Sequence, residues 1–270
     1  MTKAMEPTLP CSNKQVHDAF KPDASLAYDR AAFGWAAMFY TAYALLLLDF
    51  IPGWAFFVVG VIAIVRNFNA LHEAFHAVDT RGTFWITMRA VPIVMAPWQL
   101  GYHALRNNHI HHHRHEGDEQ DPDYYLIHGN PVWTLLMALT QPEQSVLRYI
   151  RRKGLTKKLA LELLFHAAIW IGLAIISPWE LFVLYNVVTR FGNTAAWWIF
   201  DYLLHLDKLY YRLESLPFPR AFEFVWAVLF SHSNIKGVLH HYLHHKYPFV
   251  PDRNLPELAV FIEQHNKEES

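Results

Sequence analysis

Cys11 is the only cysteine in the 270-residue chain, which excludes a disulfide framework and any thiolate metal site. An excess of charge of one sign is missing too: 23 Lys+Arg face 24 Asp+Glu, a near-neutral balance that argues against a nucleic-acid partner. No Gly-, Ser- or Pro-rich linker divides the sequence, so residues 1–270 read as a single domain. Residues 1–30 are polar and lack the apolar core of a signal peptide; they are expected to form a cytoplasmic arm. What is abundant is aromatic and imidazole side chains, with 16% Phe, Trp and Tyr and 18 His. Histidine serves chiefly as a protonation switch or a metal ligand.

Long apolar runs cover residues 31–51 and 54–76, parted by Pro52-Gly53, and again 159–176 and 179–205, parted by Ser177-Pro178. Each approaches the ~20 residues needed to cross hydrocarbon. The expected fold is therefore all-α and integral to a membrane, with four transmembrane helices in two hairpins and a cytoplasmic helical cap. Buried helical hairpins of a soluble protein are the plainer alternative. Lys and Arg collect on cytoplasmic loops, and here both hairpin turns lack them while Lys3 to Arg30, Arg66 to Lys158 and Lys208 to Lys267 share one side. Both termini are then cytoplasmic, in a multi-pass arrangement. Residues 84–98 are apolar but broken by Arg89, Pro92 and Pro97, which points to an interfacial helix rather than a crossing.

The histidines are patterned. His72 and His76 lie four apart at the cytoplasmic end of the second run, on one helical face. His109, His112 and His113 share a face in an H-x-x-H-H pattern, and His241, His244 and His245 repeat it. One ion takes four to six ligands, so eight or nine imidazoles imply two ions; two redox ions with room for dioxygen favour iron over copper or zinc. A histidine-rich solvated surface would not repeat one spacing at the ends of apolar runs. Residues Asn186, Arg190, Asn193, Trp197, Asp201 and His205 recur every three or four positions, a polar stripe on an otherwise apolar helix. Such groups face a bundle interior. His205 is thus a ninth candidate ligand, with Asp201 one turn away acting through water or behind the ligands, although an interfacial role beside Asp207 is open. His103, His166 and His232 are rivals for that ninth place, each better explained structurally. The cytoplasmic cap carries all these clusters, and with them the active site.

At this point the chain resembles the membrane fatty acid desaturase and hydroxylase superfamily. The three histidine boxes of that family are matched by His72-Glu73-Ala74-Phe75-His76, His109-Ile110-His111-His112-His113 and His241-Tyr242-Leu243-His244-His245. The resemblance spans residues 31 to about 258 and includes Asp121-Pro122-Asp123, Tyr247-Pro248-Phe249-Val250-Pro251 and Leu255-Pro256. The His112-His113-Arg114-His115 run with its acidic sequel is also similar to bacterial carotenoid ketolases. Animal-type desaturases place Asn where Asp201 stands, a departure that bears on its water-linked role.

The resemblance implies a di-iron centre that uses dioxygen and two external electrons to attack an unactivated C–H bond of a lipid or other hydrophobic substrate. Acyl desaturation is the leading expectation, and carotenoid ketolation or hydroxylation the alternative. Glu73, Asp118 and Asp121 are candidates to orient ligand imidazoles. One Cys and a short polar arm lead to the expectation that no carrier module is fused here and that electrons come from a separate ferredoxin or small cytochrome. The basic run Arg148, Arg151, Arg152, Lys153, Lys157 and Lys158 fits an acidic carrier or, more simply, anionic lipid. Arg190 at mid-membrane depth costs at least ~2.5 kcal/mol unless paired; with Asn193 and Trp197 it is a candidate for contact with a polar group of the substrate. Two readings of other classes remain: an intramembrane zinc protease resting on His72-Glu73-x-x-His76, and a histidine-rich metal transporter.

Overall fold

A computed structural model describes residues 12–78, 99–205, 220–231, 237 and 240–268. Among these, all regular structure is helical, apart from one isolated bridge between Ala24 and Val78. The interfacial helix expected over 84–98 and the rival ligand His232 lie outside the described residues.

The helices are α1 (Asn13–Ala19), α2 (Leu26–Leu47), α3 (Gly53–His76), α4 (Tyr102–His115), α5 (Tyr124–Ile127), α6 (Pro131–Leu139), α7 (Gln141–Lys153), α8 (Lys157–Ile176), α9 (Trp179–Trp197), α10 (Arg220–Phe230), α11 (His241–Lys246) and α12 (Leu255–Glu268). Local chemistry sets several starts. Ser12 and Gln15 form a reciprocal capping box on α1, Asn130 caps α6 ahead of Pro131, and Thr156 caps α8. Pro52 and Pro178 precede α3 and α9, where a missing N–H costs nothing.

Two of these helices, α3 and α8, are long and apolar enough to cross a membrane, with mean hydropathies of 1.7 and 2.2. The other two expected spans are helical as well. Their hydropathy is diluted by Asp29 and Arg30 in α2 and by Glu180, Asn186, Arg190 and Asn193 in α9. Helices α2, α3 and α9 enclose one core, built on Phe39, Tyr43, Phe56, Ile64, Tyr185 and Val188. Close approach of α3 to α9 depends on two glycines. A methyl on Gly60 would stand 2.5 Å from Val188 Cγ1, and one on Gly192 2.7 Å from Ile64 Cδ1. Small residues of this kind let membrane helices meet backbone to backbone. Helix α8 differs: of its residues only Leu159 and His166 are buried, while Leu161, Leu164, Ile171, Ile175 and Ile176 are exposed.

The segment before α2 is more than a polar arm. Val16 of α1 is fully buried among Leu243, Tyr247, Val250, Leu255, Leu258 and Ile262. Ser25 N–H donates to Val78 O and Val78 N–H to Asp23 O, at 3.0 and 2.9 Å. Arg253 closes the same corner, bonding Asp23 (2.7 Å) and Tyr28 Oη (3.1 Å). The N-terminal segment thereby joins the end of α3 to the segment after α11.

Candidate metal centre

Each histidine cluster sits on a helix that aims it inward. On α3, His72 and His76 occupy the last turn; on α4, His109, His112 and His113 share the inner face; on α11, His241, His244 and His245 do the same. His205 arrives by a different route. Helix α9 widens into a π-turn over Trp198–Tyr202 and then tightens into a 3₁₀ turn over Leu203–His205. Insertions of this kind recur at functional sites because they re-aim side chains. Here the His205 Nδ1 meets Phe200 O at 3.0 Å, which leaves Nε2 facing the other histidines.

All nine imidazoles converge, in two groups. His76 Nε2 lies 2.7 Å from His109 Nε2, which lies 3.0 Å from His113 Nε2; His72 and His244 offer nitrogens within 4.8 Å of those of His76 and His109. The second group is a run of Nε2 contacts, His112 to His205 at 3.2 Å, His205 to His245 at 3.1 Å, and His245 to His241 at 3.1 Å. Neutral imidazoles cannot satisfy such a run with hydrogen bonds alone, since each offers one N–H. The spacing does fit ligands on a common ion: metal–nitrogen bonds of about 2.1 Å at right angles place neighbouring donors about 3 Å apart. His244 Nε2 is buried with no hydrogen-bond partner, as an atom reserved for a metal would be.

Carboxylates stand behind the imidazoles. Asp121 faces His112 Nδ1 through both oxygens, at 3.0 and 2.9 Å, and also accepts the Gly117 and Asp123 backbone N–H groups. In the protein alone, burial pushes the His112 imidazole down, but the Asp121 hydrogen bond and the nearby carboxylates outweigh it and raise it to about 9. Burial lowers the titration of His109, His113, His241 and His245, reinforced by their neighbours' charge, which keeps them neutral and ready to ligate. Asp252 Oδ1 lies 3.3 Å from His244 Nδ1; burial raises this carboxyl, yet the His244 contact holds it below the usual carboxylate range. Glu116 spans two histidines of the second group, its Oε2 3.0 Å from His245 Nδ1 and Oε1 3.8 Å from His205 Nε2.

The candidates from sequence fall into distinct places. Glu73 is buried, receives the Asp252 backbone N–H at 3.5 Å, and has a carboxylate oxygen within 4.8 Å of a His72 nitrogen. Asp201 is buried beside His112 and His205, with Oδ2 unpartnered, and lines a cavity of about 20 Å³ shared with Asp123, Trp197, Phe200 and the histidines. That volume holds about one water. Asp118 is exposed, and among the described residues its carboxylate serves only the Gln120 N–H. Arg190 stands apart from the histidines, on an apolar groove of about 620 Å³ lined by Trp170, Trp179 and Phe182. It is paired with Glu143 and donates to Leu139 O at 2.9 Å. His166 is fully buried against Gln99 O, 3.2 Å away. Glu116, Asp123 and Asp252 were not singled out by pattern. Asp123 and Asp252 at least lie in or beside the proline-bounded segments that follow the second and third boxes, whereas nothing in the sequence marks Glu116 except its place after the last residue of α4.

Two rows of buried and half-buried imidazoles backed by carboxylates, on a scaffold that is helical among the described residues, have the donor set of a site that could hold metal ions. A family model described as Fatty acid desaturase matches residues 48–268, and the chain belongs to that family, the membrane fatty acid desaturase and hydroxylase superfamily. Membership makes it an oxidoreductase of the desaturase/hydroxylase type. None of the curated proteins or solved structures compared with the chain matches it.

Proposed function

We propose that this protein is an integral membrane di-iron oxidase that uses dioxygen to attack an unactivated C–H bond of a lipid acyl chain, with desaturation as the outcome. The observation that carries the reading is the convergence of nine imidazoles in two groups, five (His72, His76, His109, His113, His244) and four (His112, His205, His241, His245). Two iron ions so held supply the redox chemistry that no side chain in this protein has.

The chain's own residues do the rest. Asp121 fixes the His112 orientation by its contact with Nδ1, while Asp252 and Glu116 stand 3.3 and 3.0 Å from the Nδ1 atoms of His244 and His245. Phe68, Phe75, Leu105, Trp197 and Phe200 wall the adjoining cavity and keep bulk water from it. Four spans, with the histidine face and both termini cytoplasmic, agree with the exposed apolar face of α8 and the one-sided charge. Electrons then come from a separate ferredoxin or small cytochrome on that side. The zinc-protease reading rests on His72, Glu73 and His76 and leaves the other seven converging imidazoles without a role.

Metal analysis of anaerobically purified protein tests the proposal. About two irons per chain are expected; one zinc, or no tightly held metal, overturns it. Lipid profiling of an expressing host then names the product.

A further inference from the structure

A small polar cavity of about 10 Å³ touches His76 and His244 of the five-imidazole group and also Glu73, Tyr28 and Asp23. The Asp23 side chain is 26% exposed, so the cavity joins those imidazoles to the protein surface. Carboxylates mark the way. Glu73 and Asp252, both buried, each place an oxygen within 4.8 Å of a nitrogen of His72, and Asp252 Oδ1 lies 3.3 Å from His244 Nδ1. His72 Nδ1 is buried with no hydrogen-bond partner. Two carboxylates side by side in a buried place are costly unless a cation or a proton joins them, and the bare imidazole nitrogen beside them is a third donor.

The outer end is held shut by a cluster of its own. Val78 N–H donates to Asp23 O at 2.9 Å, which pins Asp23 beside the end of α3. Tyr28 Oη donates to Asp23 Oδ2 at 2.5 Å. Arg253 follows Asp252 directly, yet its guanidinium bonds Asp23 and Tyr28 Oη at 2.7 and 3.1 Å.

We propose that His72, Glu73 and Asp252 form a transit site at which a ferrous ion pauses on its way to the five-imidazole group, with the Asp23–Tyr28–Arg253 cluster as the latch over its entrance. This rests on the di-iron reading. Carboxylate oxygens replace the waters of a hydrated divalent ion, and imidazole suits iron better than carboxylate does, so the handover runs from the oxygen-rich set to the nitrogen-rich one. His72 belongs to both sets, so one ligand stays with the ion throughout. The cavity has room for about one water, and ions therefore pass singly.

The test times ferrous iron uptake by iron-free full-length protein under anaerobic chelator quench, and release from loaded protein into excess chelator, for the parent, Arg253→Gln and Glu73→Gln. A site on the path and outside the end state changes entry and exit by one factor and leaves the equilibrium affinity as it was. Arg253→Gln should speed both about fivefold, the population shift that loss of a surface ion pair allows. Glu73→Gln should slow both about tenfold, the low end of what charge adds to an on-rate. Parent-like rates in either folded variant, or an affinity that shifts with one rate alone, overturn the transit site. Arg253→Gln decides if Glu73→Gln fails to accumulate. A parent chain that takes up no iron instead sinks the oxidase reading, a separate result.

Discussion

Replacing Asp121 by Asn isolates what a carboxylate does behind a ligating imidazole. Asp121 meets three donors at once: His112 Nδ1 through both oxygens, Gly117 N–H at 3.2 Å on Oδ2 and Asp123 N–H at 2.8 Å on Oδ1. Asn offers one oxygen and one NH₂, so at least one of these donors must face another donor. If a buried backbone N–H goes unpaired, the cost to the fold is about 1–3 kcal/mol. If His112 changes tautomer instead, its Nε2 carries the proton and no longer ligates. Either way metal affinity should fall about 10–100-fold, or ~1.4–2.8 kcal/mol. Anaerobic titration of iron-free protein with ferrous iron against a competing chelator measures this, and thermal unfolding of the iron-free forms separates the fold term. Asp118→Asn, exposed and serving only the Gln120 N–H among the described residues, is the control and should match the parent. Parent-like iron affinity in Asp121→Asn would refute the argument that this carboxylate orients His112.

Other perturbations test other parts of the arrangement. Gly237→Ala places a methyl 1.9 Å from Asp252 O, so the backbone bearing Asp252 must move; a loss of about 1–3 kcal/mol together with weakened iron binding is expected, and iron retention with parent stability would show the segment is soft. His205→Ala should lower iron from about two to about one per chain, read by metal analysis, whereas unchanged stoichiometry would remove His205 from the ligand set. The Asp23 carboxyl is subject to burial, which raises it, but the Arg253 and Tyr28 hydrogen bonds prevail and lower it. Its contribution is therefore present above the ordinary carboxylate range and is lost as pH falls through the lowered value. At this mostly exposed pair it amounts to no more than about 1 kcal/mol, so Asp23→Asn should destabilise iron-free protein slightly at neutral pH and not in acid, and an equal effect at both pH values would contradict the pairing.

The sequence by itself determined the eight box histidines, the helical character of the four apolar runs and the candidacy of His205. Each rests on short-range periodicity: a ligand pair at i, i+4 or a polar stripe on an apolar helix needs no tertiary information to be seen. It also marked Asp121, which lies nine residues from His112 on the same loop-and-helix unit. What only the tertiary structure decided is which imidazole faces which. The division into groups of five and four keeps the first box together but splits the second and third, so that His113 and His112, though adjacent, point to opposite groups. Arg190 shows the same limit. Its cost in an apolar run was legible, but its partner Glu143 lies 47 residues away on α7. The contact of the Phe68 and Trp197 rings likewise joins segments distant in sequence, whereas the π-turn at Trp198–Tyr202 and the approach of Asp252 to His244 are local but carry no periodic signal. Periodicity fixes the face of a helix on which a side chain stands, whereas packing of one helix against another fixes what that face meets.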